Sequence, residues 1–200
     1  SCFGEIDSTD PIFQNLSPSD NVILIEPVKF LFDKLVENYN HKYPNNNFIF
    51  INKAVSTYNG ILKIYVPSYE ELISKRNNDK DRWCWGIASV NKSHPTNHWG
   101  QIKSIDEIEI ECITLESLIQ SYEIESIDIL HTDTEGHDVD ILSAYDYKIK
   151  PNKIIFENAH TDGTRRRGIK YQNFIQKMEK YGYSIIKETH MDTTLESKSN

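Results

Sequence analysis

Two hundred residues are enough to bury the core of one domain. Acidic side chains outnumber basic ones 30 to 22, a net charge of −8, which argues against sequence-independent binding to nucleic acid. No apolar run approaches the roughly 20 residues that a membrane-spanning helix needs.

The chain opens on Ser1-Cys2-Phe3-Gly4, where Gly4 would let backbone approach a ligand closely. A preceding strand and a first glycine are expected upstream of Ser1, so the chain reads as part of a longer polypeptide. Val22-Ile23-Leu24-Ile25 is a short continuous apolar run, the pattern of a strand buried on both faces, and it ends at Glu26-Pro27. Residues 29–39 follow as a helix, with Phe30, Leu31, Leu35 and Tyr39 near one stripe. Residues 48–51 form the next strand and 61–66 another, preceded by the hairpin-type pair Asn59-Gly60.

Residues 75–100 break this rhythm. The stretch is rich in Asn, Asp and His and carries Trp83, Trp85 and Trp99, so it reads as an ordered insertion over the strand ends, a lid or substrate wall. Beyond it a helix is expected at 114–122, a strand at 127–131, a loop at 132–136 and a helix at 138–144. A strand at 153–156 ending on Glu157, a helix at 171–181 and a strand at 183–187 complete the pattern. Residues 1–192 read as one domain, and 193–200 as a polar tail that frays. Cys2, Cys84 and Cys112 show no paired spacing, which points to a reducing, cytoplasmic setting rather than a disulfide framework.

Strands alternating with helices imply a mostly parallel sheet, whose ligands bind beyond the carboxyl ends of the strands. The unusual polar residues gather at those ends. Glu26 has two acceptor oxygens that match a ribose diol, although a carboxylate before Pro27 also suits a helix start. Asp133, Glu135 and His137 fall within five residues, with Gly136 permitting a tight turn. A histidine there can take a hydroxyl proton near neutral pH, and Asp133 or Thr134 can cap the next helix. Glu157 and Asn158 would join Asp133 in an oxygen-rich set suited to Mg²⁺ or another hard divalent ion; zinc fits less well because soft ligands are absent. The run Arg165-Arg166-Arg167 reads as a solvated loop or as a clamp for a phosphate-bearing substrate.

Three segments resemble the FkbM family of S-adenosylmethionine-dependent methyltransferases: VILIEPVKFLFDKLVENY at 22–39, FIFINKAVSTYNGILKIYV at 48–66, and CITLESLI with IDILHTDTEGHDVDIL and IIFENAH at 112–160. His131 departs from the family's usual lysine, and the Trp/His-rich insertion is unusual. The resemblance implies a Rossmann-like α/β methyltransferase fold, a mostly parallel twisted sheet flanked by helices. It implies O-methylation of a sugar or sugar-bearing metabolite. Ser1, Cys2, Phe3, Gly4 and Asp10 would line the S-adenosylmethionine loop, Glu26 with Pro27 would meet the ribose, and Ala54 and Val55 would lie near the adenine. Asp133, Glu135 and His137 would face donor and acceptor, with His137 the first choice of base and Asp133 the second. A non-catalytic methyltransferase-like module and an NAD-dependent oxidoreductase are the competing readings; the latter needs a fuller GxGxxG loop than this chain shows.

Overall fold

The computed structural model describes residues 12–75, 86–97, 102–163 and 165–198. The apolar run forms β1 (Asn21–Ile25), which pairs in parallel with β2 (Asn47–Ile51), from Asn21 opposite Asn47 to Ile25 opposite Ile51. Helix α1 (Lys29–Lys42) makes the crossover. It buries Leu31, Leu35 and Tyr39, one residue per turn at a spacing of four, so a single stripe faces the core. Tyr39 packs edge-on against Phe13 at 4.9 Å and Phe48 at 5.4 Å, and Leu24 and Leu35 complete this cluster. Lys42 and Tyr43 both donate to the Phe13 carbonyl, which ties residues 12–16 to the end of α1.

The second sheet joins β3 (Ala54–Val55), β4 (Gly60–Pro67) and β5 (Ile105–Ile113) in the order β3-β5-β4. Asn59-Gly60 therefore does not close a hairpin between neighbours, because β3 and β4 both pair with β5. The connection is held instead by Asn59, whose Oδ1 accepts from the Thr114 N–H and whose Nδ2 donates to Ser117 Oγ. Short helices α2 (Tyr69–Lys75) and α3 (Ser93–Asn97) lie within and before the predicted insertion, and Tyr65 bridges to Ser89.

Past α4 (Leu115–Ser121), which Thr114 caps by accepting the Ser117 N–H, comes the third sheet. Strand β6 (Ile129–Thr132) runs parallel to β7 (Lys153–Glu157), with α5 (Asp138–Ala144) in the crossover. Helix α6 (Ile169–Lys180) leads into β8 (Tyr183–Glu188). The sheet order is β6-β7-β9-β8, where β9 (Asp192–Ser197) runs antiparallel to both neighbours. The main core lies here: Val139, Ile141 and Leu142 of α5 and Phe174 and Met178 of α6 pack on Ile154, Phe156 and Leu195.

Two expectations are corrected. The architecture is mixed α/β in several sheets rather than mostly parallel: among the described residues three strand pairs are parallel and three antiparallel. The segment expected to fray from 193 onward is largely β9, an inner strand with Thr193 and Leu195 buried. It is ordered because β7 and β8 hydrogen-bond it on both edges.

Candidate functional site

Glu26 follows the last residue of β1 and is 2% exposed. Its Oε1 accepts the Val28 N–H at 2.9 Å, and Asn52 Nδ2 donates to the carbonyls of Glu26 and Pro27. Burial pushes the carboxyl up to about 7; the Val28 bond opposes this, and the charge of Asp133 adds to it. Glu26 and Asp133 thus end different strands yet sense each other. Ala54 and Val55 form β3, with Ala54 buried. Ser1, Cys2, Phe3, Gly4, Asp10 and the three tryptophans lie outside the described residues.

The loop after β6 is tightly folded. Glu135 has φ +53° and Gly136 has φ +98°. A Cβ at Gly136 would meet the His160 carbonyl at 3.0 Å, so the loop after β6 presses directly on the loop after β7. Ser89 Oγ donates to the Glu135 carbonyl at 3.0 Å, and His94 Nε2 stands 2.7 Å from Glu135 Oε2. Neither Asp133 nor Thr134 caps α5, whose N-cap is His137 without a side-chain capping bond. Thr134 instead gives its N–H and hydroxyl to Asp138 Oδ2.

Asp133, Glu135 and Glu157 each bring a carboxylate oxygen within 4.8 Å of the others. Glu157 is 4% exposed, and its Oε2 has no hydrogen-bond partner among the described residues. Burial, then the charges of Glu135, Asp133 and Asp138, hold its carboxyl far above the usual carboxylate range. Burial likewise raises Glu135, against the bond to His94. His160 lies 3.3 Å from Glu157 Oε1 through Nε2 and 4.0 Å from Glu135 Oε2, and its ring meets His94 edge-on at 4.5 Å. The Arg165 N–H donates to His160 Nδ1 at 2.9 Å, which leaves the ring proton on Nε2.

Asn158 is fully buried, but its Nδ2 donates to Thr189 O and Thr193 Oγ1, anchoring β9. Its Oδ1 has no hydrogen-bond partner among the described residues, and Glu135 stands with Asp133 and Glu157 in the oxygen-rich set. His137 bonds to none of these three carboxylates among the described residues. Its Nδ1 is 3.1 Å from Asp140 Oδ2 and its Nε2 3.4 Å from Ser56 Oγ. Lys170 Nζ also holds Asp140 at 2.7 Å, and the bond from His137, followed by that from Lys170, keeps the Asp140 carboxyl low. In the arginine run, Arg167 pairs with Glu188.

Reasoning from sequence alone missed Ser89, His94, Asp138 and Asp140. The one available signal was the His-rich character of residues 75–100, which supplies His94. Comparison with known proteins gives one match: the family model described as methyltransferase FkbM domain matches residues 2–185. No curated protein and no solved structure matches the chain.

Proposed function

The chain belongs to the FkbM methyltransferase family, and from that premise we propose that it is an S-adenosylmethionine-dependent O-methyltransferase acting on a hydroxyl of a sugar or sugar-bearing metabolite. The observation that carries this reading is the interaction of strand-end carboxylates: the charge of Asp133 raises both Glu26 and Glu157, so the ends of β1, β6 and β7 are electrostatically coupled. The residues fit the donor. Glu26 is a buried carboxylate with one oxygen on Val28, and a vicinal diol supplies the O–H donors that would let it ionise. An acidic cluster also favours a cationic sulfur.

The donor, when bound, supplies an electrophilic methyl group. Ala54 and Val55 would flank the adenine, and Asp133 and Glu135 would orient donor and acceptor. His137 serves as base: Asp140 takes its Nδ1–H, so Nε2 presents a lone pair that now meets Ser56. Positioning contributes much of the acceleration, since displacement at carbon needs an in-line approach. Support for a sugar acceptor comes from Trp83, Trp85 and Trp99, whose faces suit the apolar side of a pyranose.

Calorimetric titration with S-adenosylmethionine, followed by a product-release assay over a panel of glycoside hydroxyls, tests the reading. His137→Ala is expected to lose turnover and keep donor affinity; unchanged turnover removes His137 from the mechanism. Absence of donor binding by the unmodified chain overturns the reading as a whole.

A further inference from the structure

The ends of β6 and β7 carry more acidic groups than the proposed donor binding uses. Asp133, Glu135 and Glu157 each offer an oxygen, all within 4.8 Å of one another, and ligand oxygens around one cation lie about 3–5 Å apart. Charge alone would not make this a site. The independent sign is Glu157: it is 4% exposed, and its Oε2 has no hydrogen-bond partner among the described residues. A buried acceptor left in that state is costly unless something positive meets it.

Two histidines border the same carboxylates, and His94, Glu135 and His160 also bring ligand atoms within 4.8 Å. A two-histidine, one-carboxylate set would suit a transition metal. The hydrogen bonds argue against it. His160 Nδ1 accepts the Arg165 N–H, so Nε2 carries the proton and has no lone pair for a metal. His94 Nε2 is already engaged by Glu135 Oε2 at 2.7 Å. His94 thus bonds to Glu135 Oε2, and His160 Nε2 stands 3.3 Å from Glu157 Oε1. The second oxygen of each glutamate is left for a ligand.

We infer that Asp133, Glu135 and Glu157 bind one hard divalent cation, Mg²⁺ or Mn²⁺, and that His94 and His160 orient two of these carboxylates without ligating it. Glu135 thereby joins Asp133 and Glu157 in this set. Residues 86–97 become part of this centre, because Ser89 holds the Glu135 backbone while His94 holds its side chain. Carboxylate ligands fixed by outer hydrogen bonds are a recurrent arrangement around metals. The inference is independent of the methyl-transfer reading, since cation binding requires neither donor nor acceptor.

The test uses the full chain and Mn²⁺ alone, followed by the loss of the free-ion electron paramagnetic resonance signal. One Mn²⁺ per chain is expected, displaced by Mg²⁺. Glu135→Gln and Glu157→Gln should each weaken binding by about tenfold or more. Both variants relieve repulsion, so each should melt at or above the temperature of the metal-free parent while losing the Mn²⁺-induced rise; this separates lost binding from lost folding. His94→Gln keeps an N–H donor and should retain Mn²⁺ affinity within a few-fold. No binding by the parent at millimolar Mn²⁺, or a loss in His94→Gln equal to that in Glu157→Gln, overturns the assignment. S-adenosylmethionine titration in chelator is scored separately, so failure of the donor site and failure of the cation site are distinguishable.

Discussion

Glu26 allows a quantitative test of donor binding. In the ligand-free chain burial holds its carboxyl at about 7, against an ordinary value of 4.5. If the ribose diol requires the ionised form, donor affinity follows the ionised fraction, about 9% at pH 6 and about 91% at pH 8. The association constant should therefore rise about tenfold between those values, with uptake of the donor releasing most of one proton at pH 6 and little at pH 8. Glu26→Gln keeps the acceptor for Val28 and removes the titration. The variant should bind more weakly at pH 8 and lose the Glu26 part of the pH slope. Stability carries the same signature with the opposite sense. A carboxyl raised in the folded state stabilises fully below about 4.5 and loses that contribution as pH rises through 7. Holding the carboxyl at about 7 instead of 4.5 corresponds to about 3 kcal/mol, so the metal- and donor-free Gln variant should exceed the parent by up to that amount at pH 8 and converge with it at low pH. Calorimetry in two buffers of different ionisation enthalpy measures the protons, and denaturant titration measures stability. Equal pH slopes for donor affinity in parent and Glu26→Gln would refute the assignment of Glu26.

Other expectations follow from packing. Gly136→Ala meets both a left-handed φ and the His160 carbonyl at 3.0 Å, so it should lose about 1–3 kcal/mol in denaturant titration. Gly163→Ala has φ +112° but nothing within 4 Å, so it should lose less; equal losses would show that the contact with His160 is unimportant. Leu195→Ala should destabilise by about 2–5 kcal/mol, since Leu195 is 1% exposed between β7 and β8; a neutral result would return this segment to the status of a tail.

What could be read from the sequence depended on how local each element's cause is. β1, β7 and α6 carry their reason within themselves, as apolar runs or a stripe at helical spacing. β5 also carries one: Ile105-Asp-Glu-Ile-Glu-Ile-Glu-Cys-Ile113 alternates, and Glu107 and Glu111 pair with Lys63 and Lys53 on the solvent side. The expectation of parallel strands, which favours unbroken apolar runs, hid that alternation. β9 has no such signal. Its Thr193 is fully buried only because Tyr171 and Asn158 satisfy its hydroxyl, and both partners are distant in sequence. The site divides in the same way. Asp133, Glu135 and Glu157 follow strands and were visible as polar residues after apolar runs. His94 reaches Glu135 from 41 residues away, with no spacing that announces it.

Burial heads the causes that raise Glu26, Glu135, Asp138 and Glu157 alike. A fold selected for ligand-free stability alone would not bury four such groups. The arrangement becomes favourable when positive charge enters, because the same low dielectric that penalises isolated carboxylates strengthens their attraction for a cation. A sulfonium donor and a divalent ion are two ways to meet that requirement. Removing acidic groups should therefore stabilise the empty chain while weakening each ligand according to the strand end it occupies: Glu26 for the donor, Glu135 and Glu157 for the ion.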